Sequence, residues 1–223
     1  MLKKITLFFF LSHSILSIAQ TLPDGFVYLH KIDKTIKIEL RYLSNNNFIG
    51  SPIKGYKKNV LVLTKSTAIG LQQAQQQLLK LGLGLKVFDA YRPQEAVDHF
   101  VRWAKALNDT IMKKEYYPKV LKSELFQRGY IAEKSGHTRG STVDLTIINL
   151  KSGKELDMGS SYDFFGKQSH VFYSRITNNQ KKNRLLLRNT MLSHGFKPYE
   201  FEWWHFTLKN ETFPNTYFNF SIE

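Results

Sequence analysis

The sequence predicts an α+β fold, a single domain in which helices pack around a small, mainly antiparallel sheet. Three observations predict it. Strand-like and helix-like segments follow one another without regular alternation, which argues against a wound parallel sheet. The 223 residues suit one domain, and no repeat, low-complexity tract or linker divides them. Hydrophobic residues at 42% and aromatics at 14% are enough for a packed core and exclude a largely disordered chain.

The elements follow in order. Ile36, Ile38, Leu40 and Tyr42 alternate with polar residues, the period of a half-buried strand. Residues 45–52 (NNNFIGSP) are turn chemistry. Residues 60–63 form a short apolar strand or core segment. Thr64 or Ser66 then offers a cap for a helix running to Leu81, with Leu71, Ala74, Leu78 and Leu79 inward. Residues 83–89 read as a second strand. Pro93 opens a helix that places Ala96, Val97, Phe100, Val101, Ala104 and Leu107 on one face. Residues 110–130 are expected to be helical, with a break before Pro118. Residues 143–150 form a strand ended by the turn Lys151-Ser152-Gly153. Residues 179–194 form a helix, and Gly195 stands where a helix-ending glycine belongs. Residues 201–208 make an aromatic-rich strand.

The first nineteen residues are expected to be a secretory signal peptide, leaving 20–223 as the folded domain. Lys3 and Lys4 precede the apolar run 5–11, and Ser17-Ile18-Ala19 is a small-x-small cleavage site. Ser12-His13-Ser14 interrupts the run, so it falls short of the ~20 apolar residues that span a bilayer. The mature protein is therefore expected to be exported, periplasmic or secreted, with no stable membrane insertion.

The formal charge is +14. A basic exported protein could meet nucleic acid or an anionic surface. The lysine pairs at 57–58, 113–114 and 181–182 are scattered, however, and no nucleic-acid motif accompanies them. A solvated surface and no nucleic-acid partner is the expectation. The absence of cysteine excludes a disulfide scaffold, a thiol nucleophile and a Cys-ligated metal, so any catalytic ion must rest on His, Asp or Glu. Gly82-Leu83-Gly84 lacks the third glycine of a dinucleotide loop and precedes its strand. Ser51-Pro52-Ile53-Lys54 fits S-x-x-K but lies in a turn without the companion motifs.

Two segments carry chemistry. Residues 135–144 (SGHTRGSTVD) and 202–205 (EWWH) together offer two imidazoles and two carboxylates. A catalytic zinc takes three protein ligands and keeps one position open. His137, Asp144 and His205 can supply the three, leaving Glu202 as a general base beside the ion. His137 and Asp144 are seven apart and Glu202 and His205 three apart, so each pair would face opposite sides of a regular strand. A bend at Gly140-Ser141 and a bulge or strand end near Glu202 are therefore required. Two imidazoles and one carboxylate also make the facial triad of non-haem iron enzymes, although six residues intervene here where one is usual.

At these residues the sequence resembles the D-alanyl-D-alanine dipeptidases, the VanX-type zinc D,D-dipeptidase family. The resemblance extends over about residues 36–208, through Leu40-Arg41-Tyr42, residues 47–50 (NFIG), Asp89-Ala90-Tyr91-Arg92-Pro93, residues 135–146, Leu156-Asp157-Met158-Gly159, residues 162–166 (YDFFG) and residues 183–208. It implies one zinc per chain on His137, Asp144 and His205, with Glu202 as base. It implies that Arg92 stabilises the oxyanion, a task suited to a permanent cation. It further implies that Asp163, with Tyr42 and Asp89, holds the substrate ammonium, and that Ser135 lies near the substrate carboxylate. Gly136 and Thr142 depart from the family pattern, where Ser and Ala are expected. Without the resemblance, Asp89 and Arg92 read as an ion pair at a helix start, Asp163 as a turn residue and Tyr42 as a core aromatic.

The expected function is zinc-dependent hydrolysis of D-Ala-D-Ala and similar small D,D-dipeptides in cell-wall turnover. The alternatives are a zinc D,D-carboxypeptidase or endopeptidase acting on longer wall peptides, and a non-catalytic basic wall-binding module. Oligomeric state is left open.

Overall fold

The most apolar strands form the centre of the sheet. In a computed structural model, which describes residues 21–223, β4 (Leu83–Asp89) pairs antiparallel with β5 (Thr142–Asn149). The signal-peptide expectation falls on residues outside those described. β5 is buried from Thr142 to Ile148, so both of its faces are covered. Its neighbour on the other side is β7 (Glu202–Leu208), which pairs in turn with the edge strand β6 (Phe196–Tyr199). The opposite edge is β2 (Lys37–Ile38), the one parallel partner in the order β2-β4-β5-β7-β6. A second, two-stranded antiparallel sheet joins β1 (Phe26–Tyr28) to β3 (Val62–Thr64). The α+β expectation holds, with this extra ribbon added.

Helix α1 is one turn, Leu29–Ile32, and α2 follows β3 directly at Lys65–Leu79. Thr64 is its cap residue, yet its hydroxyl meets Thr67 Oγ1 at 2.7 Å rather than a backbone amide. Leu71, Ala74 and Leu78 are fully buried, as their spacing requires. Helix α3 runs Gln94–Lys105 and begins after Pro93, whose fixed φ suits a helix start. Helix α5 spans Asn178–Ser193; Thr177 and Gln180 form a reciprocal capping box, and Gly195 takes φ 87° just past its end.

Two expectations are corrected. Residues 110–130 are not a helix. They hold only the single turn α4 (Lys113–Tyr116) and a 3₁₀ turn at Lys122–Glu124. Pro118 stops the first, and two lysine side chains then satisfy the irregular backbone. Lys113 Nζ donates to the Val120 carbonyl at 2.6 Å, and Lys122 Nζ donates to the carbonyls of Ala106 and Asp109. The strand read over 36–42 shrinks to Lys37–Ile38. Ile36 and Leu40 are buried and Ile38 is half-buried, but the chain then turns through a 3₁₀ segment at Arg41–Leu43 that sinks Tyr42 into the core. Strands β1 and β6 are too short to show alternation, and Pro198 masks β6; proline is tolerated there because β6 is an edge.

Among the described residues no helix is long and apolar enough to cross a membrane.

Candidate active site

Three adjacent strands place polar residues in a row. Asp89 at the end of β4 pairs with Asp144 on β5, and Asp144 pairs with His205 on β7. Cross-strand partners share a face. A register shift between Val87 and Asp89 turns the Asp89 side chain to the Asp144 side. The irregularity expected near Glu202 is present. One step along β6, from Pro198 to Tyr199, corresponds to four along β7, from Phe206 to Glu202. Glu202 and His205 therefore come together, with Oε2 3.5 Å from Nδ1.

The bend expected between His137 and Asp144 is a 3₁₀ turn, Gly136–Arg139, ended by Gly140 at φ 77°. Only glycine fits there, because a Cβ would lie 2.3 Å from the Phe26 ring. Ser135 caps the turn by accepting from the His137 amide at 3.2 Å. The two departures from the family pattern prove to be neighbours. A Cβ on Gly136 would stand 2.8 Å from Thr142 Oγ1, so glycine at one position makes room for threonine at the other.

His137, Asp144 and His205 offer donor atoms that all lie within 4.8 Å of one another. Asp144 Oδ2 is 3.3 Å from His137 Nε2, and Asp144 Oδ1 is 3.1 Å from His205 Nδ1. Ligands about 2.0–2.2 Å from a tetrahedral ion sit roughly 3.3–3.5 Å apart, so the spacing fits one. The bonding also fits. His137 Nδ1 faces the Ala90 carbonyl at 2.7 Å, which fixes the tautomer with Nε2 as the lone-pair nitrogen. Among the described residues His137 Nε2 and Asp144 Oδ1 are buried without a hydrogen-bond partner. Unpaired buried polar atoms aimed at one point are what a cation site requires. Burial works to raise the Asp144 carboxyl, but the two imidazoles outweigh it and hold it well below the usual carboxylate range.

A cavity of about 240 Å³ opens over this group. Arg92, Tyr42, Asp163, Ser135 and Glu202 line it together with the three candidate ligands. Arg92 is clamped from behind: Asp89 Oδ2 accepts from its Nε at 2.9 Å and its Nη2 at 2.8 Å, while Asp89 Oδ1 accepts from the Tyr56 hydroxyl at 2.8 Å. Asp89 is fully buried and does not line the cavity. Its expected share in holding a substrate ammonium is therefore corrected. The bland reading of an Asp89–Arg92 ion pair is right, and the pair serves to aim the guanidinium.

Asp163 is buried at the other end of the cavity, with φ 60°. Among the described residues its one side-chain hydrogen bond is accepted from the Tyr42 hydroxyl at 2.9 Å. Burial first, then the charge of Asp144, pushes its carboxyl well above the usual range. Burial also raises Glu202, assisted by Asp144 and opposed by His205 and Arg92. Tyr42 stays protonated and so remains a donor, because burial and Asp163 both raise it.

Several contributors carried no role in the sequence. The Tyr162 hydroxyl lies 3.2 Å from Asp144 Oδ2 and 3.0 Å from the Tyr42 hydroxyl, linking the two ends of the site. Its adjacency to Asp163 was the available signal. Tyr56 gave none. Tyr130 stacks on Phe165 with centroids 4.9 Å apart to form an aromatic wall, from the segment misread as helix.

Comparison with known proteins shows the family. A profile of peptidase family M15, described as D-Ala-D-Ala dipeptidase, matches residues 23–223. The D-alanyl-D-alanine dipeptidase of Enterococcus faecalis is 42% identical over 201 residues, covering 90% of this chain and 100% of that protein. That of Streptomyces coelicolor is 41% identical with the same coverage. That of Enterococcus faecium is 38% identical over 199 residues, 89% of this chain and 98% of that protein.

Proposed function

We propose, given that the chain belongs to the D-Ala-D-Ala dipeptidase family of metallopeptidases, that it hydrolyses free D-Ala-D-Ala and similar D,D-dipeptides with one zinc ion outside the cytoplasm. The observation that carries the dipeptide reading is Asp163. Among the described residues this buried carboxyl faces the cavity with a tyrosine donor and no ion-pair partner in contact, and the free ammonium of a dipeptide would supply one.

His137, Asp144 and His205 would hold the ion. Bound there, it supplies Lewis acidity toward water and toward a peptide carbonyl. The chain's own residues do the rest. Glu202 stands beside the ligand group without belonging to it, placed to take a proton from the attacking water and return it to the leaving amine. Arg92, held rigid by Asp89, presents a permanent positive charge to the oxygen that becomes negative. Asp163 and Tyr42 anchor the ammonium, and Ser135 lies on the wall near the carboxylate end.

The test is release of D-alanine, detected with ninhydrin, from D-Ala-D-Ala and from its N-acetyl derivative. Acetylation removes the charge that Asp163 would pair, so kcat/KM is expected to fall by about 10–100-fold. Equal rates on both would favour an enzyme of longer wall peptides, whose substrates carry no free amine at that position.

Export rests on the basic start at Lys3-Lys4, the apolar run and the small-x-small site at residues 17–19. The family match begins at residue 23, just beyond them. An exported enzyme has no access to the cytoplasmic dipeptide pool that feeds wall synthesis, so its substrate is dipeptide derived from the wall, for turnover or reuse. Fractionation should find the protein in the envelope or medium, starting at residue 20. A cytosolic protein with its first residues intact overturns this part.

A further inference from the structure

We infer that Arg184 is a positioning residue for the amine end of the cavity: from helix α5 it sets the loop that carries Asp163. The inference deepens the dipeptidase reading and rests on it. Arg184 is 1% exposed, and among the described residues its guanidinium forms no ion pair. Instead it gathers three backbone carbonyls. Nε donates to Met158 at 2.5 Å, Nη1 to His170 at 2.5 Å and Nη2 to Gln168 at 2.6 Å. A buried charge is costly, and here the three carbonyl dipoles offset it, with the charge of Asp157 assisting. Burial lowers the group only to about 10, so it stays charged at neutral pH.

The three carbonyls bracket Tyr162 and Asp163. Between Asn149 and α5 the chain has only an isolated bridge at Glu155 and a 3₁₀ turn at Lys167–Ser169, so no ladder holds Asp163. Asp163 is also the only non-glycine residue at positive φ among those described. Such a conformation persists only where the surroundings over-determine it. The Arg184 fork ties both ends of the loop to one point. Phe165 N, donating to the Tyr116 carbonyl at 2.8 Å, and Ser169 Oγ, donating to the Phe164 carbonyl at 2.6 Å, hold the middle. Asn183, one residue earlier on the helix, adds a bond to the Asp157 carbonyl at 2.9 Å. Arg184 does not line the cavity, so it acts through Asp163.

Lysine cannot reproduce a planar fork that reaches three separate carbonyls. Arg184→Lys is therefore expected to raise KM for D-Ala-D-Ala about tenfold, with kcat changed by less than about threefold and metal content unchanged. Deuterium uptake across residues 158–170 should rise. In an Asp163→Asn background the same change should alter KM by less than about twofold, because the contact it positions is already gone. Multiplying penalties in the double variant, a fall in kcat at constant KM, or unchanged uptake in the loop would each overturn the inference. If Arg184→Lys does not fold, Asn183→Ala, which removes one bond from the same helix to the same loop, carries the test with a smaller KM rise expected. Its failure to raise KM overturns the inference equally. A wild-type enzyme that leaves D-Ala-D-Ala uncut defeats the dipeptidase reading instead; the exchange measurement needs no substrate and still judges whether Arg184 holds the loop.

Discussion

Replacing Glu202 with alanine lowers kcat on D-Ala-D-Ala by about 10²–10⁴-fold and leaves metal content and thermal stability close to wild type. The split follows from position. Glu202 lines the cavity at the start of β7, with a side chain still 22% exposed. It lies outside the group His137, Asp144 and His205, so its loss removes no ligand. Nor does it empty a packed core site. Its removal even relieves repulsion from Asp144, which acts with burial to raise its carboxyl. Glu202→Gln separates proton transfer from packing, since the amide keeps the shape and loses the basicity. Loss of rate in both variants assigns the base. If steady-state kcat of either variant stays within about threefold of wild type, the proton moves through another group.

How far the site could be read from sequence depended on what kind of local signal each residue leaves. The ligand and base candidates sit in two short blocks whose spacing conflicts with a regular strand. That conflict itself foretold the turn at Gly140 and the irregularity in β7. Arg92 and Asp163 were reached only through resemblance, because each alone reads as an ordinary ion-pair or turn residue. Asp89 was misplaced for a related reason. A carboxylate three residues before an arginine does not reveal which of the two faces the cavity, and only the register shift after Val87 settles that. The helix read over 110–130 failed because apolar residues there serve tertiary anchoring. Tyr116 and Leu125 are buried, but between them the Val120 carbonyl is satisfied by the Lys113 side chain, and Lys122 reaches back to the carbonyls of Ala106 and Asp109 just before the segment. Arg184 left no signal, since a buried arginine bonded to carbonyls looks in sequence like any helix-surface cation.

Stripping the metal with a chelator is expected to abolish hydrolysis and lower Tm by about 5–10 °C, with zinc restoring both. The argument is one of charge. Asp89, Asp144, Asp163 and Glu202 surround a single permanent cation, Arg92, and two imidazoles. Ionised together, the four carboxylates exceed that cation by three. Without an ion the crowding shows as upward shifts: burial, with repulsion from Asp144, raises Asp163 and Glu202. A divalent cation and one substrate ammonium together bring the cluster to neutrality, and each meets a separate gap. The ion meets the unpaired His137 Nε2 and Asp144 Oδ1, and the ammonium meets Asp163. An ion at about 100 times its Kd adds roughly 2.7 kcal/mol to the folded state, and in a domain of this size that corresponds to the shift expected. Because the ligands must be deprotonated, zinc uptake should release protons and weaken as pH falls. Calorimetry with metal analysis checks all of this without a substrate. Full turnover in protein shown to be metal-free, or a Tm indifferent to zinc, would remove the ion from the site and return His137, Asp144 and His205 to ordinary polar residues of a sheet.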